Sequence, residues 1–374
     1  MRYKKGTVLC VGNFNSNTGY AWRLIESLWI EVKAISQARE YNTLVCYPQV
    51  TDINPDLNKH NISISEHNFS IGGLINRLKT ARFIHKNRVS VLYLTDKPSV
   101  CLSYLLFRLA GVKKIIVHDH TPGYRRPLGK LRLSIKQILN RTPWISCDVV
   151  LGVSPYVCKR LYEVNGVSKR KIEQVLNGLK DTQHFKKRVE QSEDLTIRLI
   201  TVARANYYKG VDFALKVMRS LVHDKGINAY YSLIGDGPDL EAFKQLSIAL
   251  NISDRVDFLG QQDNVAERLP AFDVAFHPSN GEAMCLAIVE YLRAGVPVVC
   301  STNSSVNSIL VNNEDSYFFE EHDIEAAARQ LQRLVIKHEE RQKMGIAARQ
   351  NFLHKYQERQ MIDSFSRALS KYIL

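Results

Sequence analysis

Residues 272–300 constrain the fold more than any other part of the sequence. Apolar runs at 272–276 and 297–300 are typical of buried strands. Between them lie a polar loop from Pro278 to Gly281 and a stretch from Leu286 to Ala294 whose apolar residues recur at helical spacing, with Gly295 where the helix should end. This order predicts one strand–loop–helix–strand unit of a parallel sheet, in which ligands bind beyond the carboxyl ends of the strands.

Two glutamates stand in this unit with seven residues between them. Glu282 belongs to the loop, and Glu290 lies about two turns into the helix, so the two carboxylates can face one ligand from two heights. An ordinary solvated helix carboxylate is the alternative for Glu290 taken alone.

The pattern that surrounds the glutamates resembles a known donor site. Pro-Ser, Glu282, seven residues, Glu290 and then Ala-Gly-x-Pro-Val-Val is similar to the signature of retaining family-4 glycosyltransferases of the GT-B fold, the glycosyl transferases group 1. The resemblance covers most of the second half of the chain, with weaker echoes in the first half. It implies an α/β protein with GT-B architecture, in which two Rossmann-like doubly wound parallel-sheet domains face a cleft.

Length and local composition are consistent with this architecture. The 374 residues suffice for two domains, and alternating strand and helix patterns in both halves predict doubly wound sheets. We expect an N-terminal acceptor-side domain at 1–180, a linker at 181–196, a nucleotide-sugar-binding domain at 197–350, and a C-terminal helix at 351–374 that crosses back to the first domain. The first strand follows the N-terminus without a signal-peptide pattern, and seven cysteines are scattered without CxxC pairs. These features predict reduced thiols and a cytoplasmic location.

Charge is distributed unevenly along the chain. Residues 1–180 hold 28 Lys and Arg against 11 Asp and Glu, or +17, whereas residues 181–374 hold 23 against 26, or −3. A basic half implies an anionic partner, which can be a membrane surface, a nucleic acid or an acidic substrate. The half has neither an aromatic-interleaved basic motif nor a zinc module, so we expect no nucleic acid.

The strongest basic segment has the pattern of a helix from Pro127 to Arg141. Its apolar side chains share one helical face, and they are Leu128, Leu131, Ile135, Ile138 and Leu139. Five cations stand on or beside it, and they are Arg125, Arg126, Lys130, Arg132 and Lys136. Two interpretations remain open: an amphipathic helix that packs on the sheet, or a contact with an anionic membrane surface such as the inner face of the plasma membrane.

Two cations open the second domain. Arg204 ends a predicted strand, and Lys209 follows five residues later at a helix start, where free backbone amides lie. Arginine can bridge two phosphate oxygens while lysine supplies a point charge. This spacing alone is unspecific, but the resemblance implies diphosphate binding. It also implies donor contacts at Gly235, in a Gly-x-Gly turn, and at Val265, near the nucleobase.

The first half offers weaker candidates. Gly19 lies in a polar loop before a helix, where the family usually carries a glycine pair, and a plain strand–helix turn explains it equally well. His118 and His120 follow a predicted strand, as the family's His-Asp does, although a histidine at such a position is often structural. The resemblance implies that His118 contacts the donor sugar and that Gly19 and His120 lie on the acceptor side.

The implied chemistry is a metal-independent, retaining transfer of a hexosyl or related group, with Glu282 and His118 as catalytic residues. Glu290 would hold the ribose. The remaining predicted donor contacts are Ala283, Met284, Cys285 and Leu286. No Asp-x-Asp motif or His/Cys cluster has ligand spacing, so we expect no metal and no cofactor. The expected donor is a nucleotide-diphosphate sugar, with UDP favoured over GDP, and the expected acceptor is a saccharide or a lipid-linked molecule of cell-surface polysaccharide or glycolipid assembly.

Departures from the pattern keep other functions open. Glu-Ala-Met-Cys stands at 282–285 where the family commonly has Glu-Gly-Phe-Gly, and Ser304-Ser305 replaces a glycine pair. These differences leave open a nucleotide-sugar epimerase, a glycogen-synthase-like enzyme or a non-catalytic nucleotide-sugar-binding subunit.

Overall fold

A computed structural model describes residues 5–16, 20–69, 72–123, 125–181 and 196–373, without the side chains of residues 20 and 21. The chain divides into two compact units. The first consists of Met1–Thr121, Arg125–Asn177 and Arg359–Leu374, and the second consists mainly of Gly178–Glu358. Each unit is an α/β structure with its own parallel sheet, as the sequence predicts.

The first unit contains a sheet of seven strands within the described residues. They are β1 (Gly6–Val11), β2 (Tyr41–Tyr47), β3 (Ser63–Glu66), β4 (Val89–Thr95), β5 (Lys114–Asp119), β6 (Val149–Gly152) and β7 (Ile172–Gln174). The helices between them are α1 (Tyr20–Ala38), α2 (Pro55–Lys59), α3 (Leu74–Lys86), α4 (Ser103–Leu109), α5 (Lys130–Arg141) and α6 (Pro155–Glu163). The strand order β3-β2-β1-β4-β5-β6-β7 reverses direction between β1 and β4, which is the switch point of a doubly wound sheet.

The second unit repeats this design with six described strands. They are β8 (Ile197–Val202), β9 (Ala229–Ile234), β10 (Val256–Phe258), β11 (Val274–His277), β12 (Val298–Ser301) and β13 (Ser316–Phe319). Its helices are α7 (Val211–Arg219), α8 (Leu240–Ala249), α9 (Val265–Arg268), α10 (Leu286–Ala294), α11 (Ser304–Asn307), α12 (Ile324–Ile336) and α13 (His338–Lys355). The order β10-β9-β8-β11-β12-β13 puts the switch point between β8 and β11.

The end of the chain differs from the single helix expected at 351–374. Helix α13 ends at Lys355, and a separate helix, α14 (Glu358–Ser370), follows it. Side chains of α14, among them Phe365 and Leu369, join the core that β1, β4 and α1 form in the first unit. The apolar pattern continues across Tyr356-Gln357, so the sequence hides the break between the two helices.

Two further expectations need correction. The short strand β3 has no counterpart in the sequence prediction, because Ser63–Glu66 alternates only one apolar residue with polar ones. Of the two interpretations of the helix predicted from Pro127 to Arg141, packing of its apolar side on the sheet does not hold for Leu131, Ile135 and Ile138, which are exposed. None of the described helices combines the length and the apolar character that crossing a bilayer requires.

Candidate functional site

The predicted donor residues gather at the switch point of the second sheet. Strands β8 and β11 are neighbours, and the loop after each of them carries predicted side chains. The loop after β8 leads to Lys209 and α7, and the loop after β11 leads through Glu282 to α10. Because parallel strands end at the same edge of a sheet, residues far apart in the sequence meet there.

The two loops approach each other at Gly210. A Cβ atom on this glycine would lie 2.2 Å from the carbonyl oxygen of Pro278, and the backbone has a φ of +74°. Both facts require glycine at this position. The amide of Asn280 donates to the carbonyl of Tyr208 at 2.9 Å, which fastens the loops together.

This approach joins Lys209 to Glu282. The Lys209 Nζ lies 2.5 Å from Glu282 Oε1, and the two side chains are only 13% and 8% exposed. The same ammonium lies 5.0 Å from the centre of the Tyr208 ring. The cation predicted for the phosphates and the carboxylate predicted for the sugar are therefore direct partners.

Three polar groups hold Glu282 in place. Ser279 Oγ donates to Glu282 Oε1 at 2.9 Å, and the Glu282 amide donates to Ser305 Oγ at 2.9 Å. Ser305 Oγ in turn donates to Asn303 Oδ1 at 2.6 Å. The serine that replaces the family's glycine thus supports the carboxylate loop, which is a role that sequence reasoning missed.

His277 completes the cluster and was also missed. Its Nε2 atom lies 3.5 Å from Glu282 Oε1 and 3.4 Å from Cys285 Sγ, and the side chain is 1% exposed. The signal that could have identified it is its position at the end of a predicted buried strand, the same signal that selects His118. Burial opposes protonation of His277, but Cys285 and Glu282 outweigh it and raise its pKa to about 9.

In this cluster the charged neighbours outweigh the effect of burial on the pKa values. Burial alone would raise the pKa of Glu282, but Lys209 and His277 outweigh it and lower the pKa to about 2. Burial likewise opposes the charge of Lys209, whereas Glu282 raises its pKa above the ordinary value. At neutral pH Glu282 is therefore an anion that accepts hydrogen bonds, with two cations beside it.

The expectation that no His/Cys cluster has ligand spacing is wrong. One ligand atom each from His277, Glu282 and Cys285 lie within 4.8 Å of one another. Nitrogen, oxygen and sulfur donors at this separation are of the kind that bind Zn²⁺. A metal would have to displace the proton of His277 Nε2 and compete with Lys209 for Glu282. The Nδ1 atom of His277 is buried and has no hydrogen-bond partner among the described residues.

Gly235 lies against the backbone segment that carries Arg204. A Cβ atom on Gly235 would lie 2.0 Å from the carbonyl oxygen of Ala203, so the turn after β9 presses against the segment that carries Arg204. Arg204 is exposed and pairs with no described carboxylate. Val265 is half-buried at the start of α9, and no described contact joins it to the cluster, so its role stays a prediction.

Glu290 occupies a different environment. It is buried on α10, and its Oε1 lies 3.9 Å from the guanidinium of Arg293 one turn later. Ala283, Met284 and Cys285 are buried in the loop before α10, and Leu286 is the first residue of that helix. Within the described residues no side chain caps the start of α7 or α10. Lys209 precedes the first residue of α7 by two positions, and Glu282 precedes the first residue of α10 by four.

In the first unit His118 is a core residue. It is fully buried and shares a 2.5 Å hydrogen bond between its Nδ1 and the Tyr93 hydroxyl. Burial and the neighbouring His120 lower the pKa of His118 well below the usual range. His120 is half-buried, and its pKa falls to about 4 because burial outweighs Asp119. Contact of His118 with a sugar stays a prediction, and Gly19 lies outside the described residues.

A cavity of about 230 Å³ lies next to the ends of β4 and β5. Asp96, Lys97, Asp119 and Arg125 line it. Asp119 forms two hydrogen bonds with Arg160, at 3.0 and 2.9 Å. Burial raises the pKa of Asp96 to about 6, although the hydrogen bond that the His120 amide donates to its carboxylate opposes the shift. The sequence analysis does not select Asp96 and Asp119. The position of each at the end of a strand is the signal that could have identified them.

Comparisons with known families match both halves of the chain. The model described as Glycosyl transferases group 1 matches residues 180–351, and the model described as Glycosyltransferase Family 4 matches residues 37–183. Together they cover most of the sequence and both sheets.

Individual proteins resemble the chain more distantly. The N-acetyl-alpha-D-glucosaminyl L-malate synthase of Bacillus anthracis is 28% identical over 58% of this chain and 58% of its own length. The putative colanic acid biosynthesis glycosyltransferase WcaL of Escherichia coli K12 is 26% identical over 49% of this chain and 47% of its own. The alignments thus span about half the length of these curated relatives. The structure of Anabaena Alr3699/HepE in complex with UDP and glucose has a TM-score of 0.73 at 15% identity, over 98% of this chain and 100% of that one.

Proposed function

We propose that the chain, whose two Rossmann-like units have GT-B architecture, is a group 1 glycosyltransferase. We propose further that it transfers a sugar from a nucleotide-diphosphate donor with retention of configuration. The observation that carries the proposal is the buried ion pair of Lys209 and Glu282, which stand in the loops that lead to α7 and α10. It combines groups for a diphosphate with an acceptor for sugar hydroxyls at one edge of the sheet.

The part of the proposal that concerns the diphosphate rests on positive electrostatic potential. Arg204 is an exposed arginine at the end of β8, and the first amides of α7 follow a few residues later. Amides at a helix start and a guanidinium both stabilise anions. As the donor bond breaks, negative charge grows on the departing diphosphate, and Arg204, Lys209 and these amides offset it without a metal.

The part of the proposal that concerns the donor sugar rests on Glu282. Because its pKa is about 2, the carboxylate is a poor base at neutral pH and acts by accepting hydrogen bonds from sugar hydroxyls. Ser279 and Ser305 hold it in one position. In the proposed front-face step, the acceptor oxygen bonds to the anomeric carbon while the bond from that carbon to the diphosphate oxygen breaks. The diphosphate leaves with the electron pair and takes the proton of the acceptor hydroxyl.

The remaining assignments follow the family pattern. Glu290 would bind the ribose, Gly235 and Val265 would lie near the base, and UDP is the preferred nucleotide. The acceptor would be a saccharide or lipid-linked molecule of surface polysaccharide or glycolipid assembly, handled in the cytoplasm. A colanic-acid transferase among the relatives supports this direction. An epimerase, a glycogen-synthase-like enzyme and a silent binding subunit are the competing functions.

The test begins with Arg204→Ala, because this arginine is exposed and its removal leaves the fold intact. We expect UDP affinity in calorimetry to fall about tenfold, the effect of one charge-assisted contact. Arg198→Ala is the matched control, since Arg198 is an exposed arginine of the same strand at its opposite end. Equal UDP affinity in both variants would refute the diphosphate assignment.

The reaction itself needs a second measurement. Nucleotide sugars are screened by thermal shift, and the best binder is incubated with the enzyme and candidate acceptors. Release of nucleoside diphosphate together with an α-linked product from an α-linked donor supports retaining transfer. Conversion of the donor to an isomer would indicate an epimerase, and tight binding without turnover would indicate a silent subunit.

A further inference from the structure

Helix α5 exposes its apolar side and turns its polar side toward the protein. Its outward side carries apolar residues: Leu131 is 75% exposed and Ile138 is 63% exposed, and Ile135 and Leu139 lie on the same stripe. The side that faces the protein carries Lys136 and Asn140 instead. A surface helix of a soluble domain normally buries its apolar stripe and exposes its polar one. The outward stripe of α5 therefore has no partner within the described residues.

Specific contacts hold the helix in this orientation. The Lys136 ammonium donates to the carbonyl of Val164 at 3.2 Å, and the Asn140 amide donates to the carbonyl of Asn165 at 3.0 Å. Gly166 lies so close that a Cβ atom there would be 2.9 Å from the Lys136 Cβ, and its φ is +73°. The polar side of α5 is thus fitted to the turn after α6, so the helix cannot rotate its apolar stripe inward without losing these bonds.

The exposed apolar surface continues beyond α5. Val100 and Ser146 form an antiparallel bridge, and the turns that follow Val100 and precede Ser146 in the chain carry Leu102 and Trp144. Leu102 is 66% exposed and Trp144 is 56% exposed. Helix α4 then adds Leu105 and Leu109 to the exposed set.

The clustering is strong along the chain. Of 19 large hydrophobic residues that are exposed in the described part of the protein, 11 lie between positions 74 and 144. Amphipathic segments with tryptophan and leucine on the apolar side are typical of proteins that lie in a bilayer interface.

Charge selects the occupant of this surface. Residues 72–145 contain 15 Lys and Arg against 2 Asp and Glu, a net charge of +13 out of the +14 of the whole chain. The two acids are Asp96 and Asp119, and both accept hydrogen bonds inside the unit. Around α5 the exposed cations are Arg125, Arg126, Lys130, Arg132 and Arg141. A second copy of the chain would bring the same positive field against itself, whereas anionic phospholipids supply the opposite charge.

We infer that the outward stripe of α5, with Leu102 and Trp144, docks on the surface of an anionic phospholipid bilayer. The apolar side chains enter the headgroup region while the flanking cations lie at the level of the phosphates. The docking surface belongs to the first unit alone, and it does not depend on the donor-site assignment.

Vesicle co-sedimentation tests the inference. The full chain is mixed with vesicles of phosphatidylcholine alone or of phosphatidylcholine with phosphatidylglycerol, and we expect binding only to the anionic vesicles. In the triple variant Leu131→Ser, Ile135→Ser, Ile138→Ser the partition coefficient should fall more than about tenfold, because three inserted side chains are lost. The matched control is Ile248→Ser, Ile336→Ser, Ile346→Ser, which changes exposed isoleucines of helices in the second unit and should bind as the wild type does.

The charge contribution is tested separately. Replacement of Arg126, Lys130, Arg132 and Arg141 by Ser should weaken binding on the order of fivefold per cation at low salt, and high salt should reduce this difference. UDP affinity should stay unchanged in all of these variants, which separates a failure of docking from a failure of the proposed function.

Three results would overturn the inference. The first is equal binding to neutral and anionic vesicles, and the second is wild-type binding by the α5 variant. The third is a wild-type dimer in light scattering that the α5 variant converts to a monomer, with no vesicle binding, since the stripe would then be an interface between copies of the chain.

Discussion

Each unit has a buried histidine at the end of a strand or one residue before it, but the pKa values of the two histidines are shifted in opposite directions. His277 ends β11, and its pKa is raised to about 9 despite burial. His118 lies on β5, and its pKa is lowered well below the usual range by burial. Both side chains are at most 1% exposed, so burial does not explain the difference.

The neighbours explain it. Cys285 Sγ and the anionic Glu282 carboxylate lie 3.4 and 3.5 Å from His277 Nε2, whereas the partners of His118 are the Tyr93 hydroxyl and the ring of His120. Asp119 is adjacent to His118 in the sequence, but its carboxylate pairs with Arg160. An anion and a second hydrogen-bonding partner beside a buried imidazole thus raise its pKa, whereas neutral partners leave burial to lower it.

Removing that anion should have the largest effect. Glu282→Gln leaves Lys209 and His277 as two buried cations without their counter-ion. We expect the free energy of unfolding to fall by about 3 kcal/mol and turnover with the true donor to fall more than about a hundredfold. Urea unfolding and steady-state rates measure the two effects.

Glu321→Gln is the control for this change, because Glu321 is an exposed glutamate of the same unit and should alter neither quantity. Wild-type turnover in Glu282→Gln would show that the carboxylate does not contact the substrate.

The charge of His277 should appear in the pH dependence of stability. Its folded pKa of about 9 lies above its unfolded value, so its contribution is complete below about pH 6.5 and is lost as the pH rises to 9. We expect the free energy of unfolding to fall by about 2–3 kcal/mol across this window. His277→Gln should be less stable at pH 6.5 and should lack this decline. Parallel profiles for the two proteins would argue that His277 is neutral.

His118 should produce the opposite and smaller signature. Its folded pKa is lowered, so it adds no slope above about pH 6.5, and it destabilises the fold as the pH falls below that value. Below about pH 6.5 the free energy of unfolding of the wild type should fall with decreasing pH more steeply than that of His118→Gln. We expect the two slopes to differ by about 1.4 kcal/mol per pH unit. The alkaline side should keep the decline attributed to His277. If His118→Gln changed the stability on the alkaline side instead, the pKa values of the two histidines would not be shifted in opposite directions.

Much of the donor site could be predicted because its signals are local. The apolar runs around 272–300, the helical spacing from Leu286 to Ala294 and the strand that leads to Arg204 all depend on nearest neighbours in the chain. Helix α10 begins and ends where the pattern predicts, and Gly295 has the left-handed conformation expected of a helix-ending glycine. The alternation of strands and helices likewise specifies two doubly wound sheets.

Pairing between loops was beyond local reasoning. Lys209 and Glu282 are 73 positions apart, and their ion pair exists because β8 and β11 are neighbours at the switch point. The composition of neither loop records that adjacency. The same is true of Ser305, which looks like a departure from the family pattern and proves to hold the Glu282 amide.

The sequence by itself determined two parallel-sheet domains, the strand-end location of the candidate site and a strongly basic first half. Only the tertiary structure decided that His277 is a cation and His118 is neutral, since pKa values depend on which charges lie within a few ångströms. Only the tertiary structure decided which side of α5 faces outward. Periodicity shows that a helix has two sides, but the bonds of Lys136 and Asn140 to the turn after α6 determine which side meets the protein.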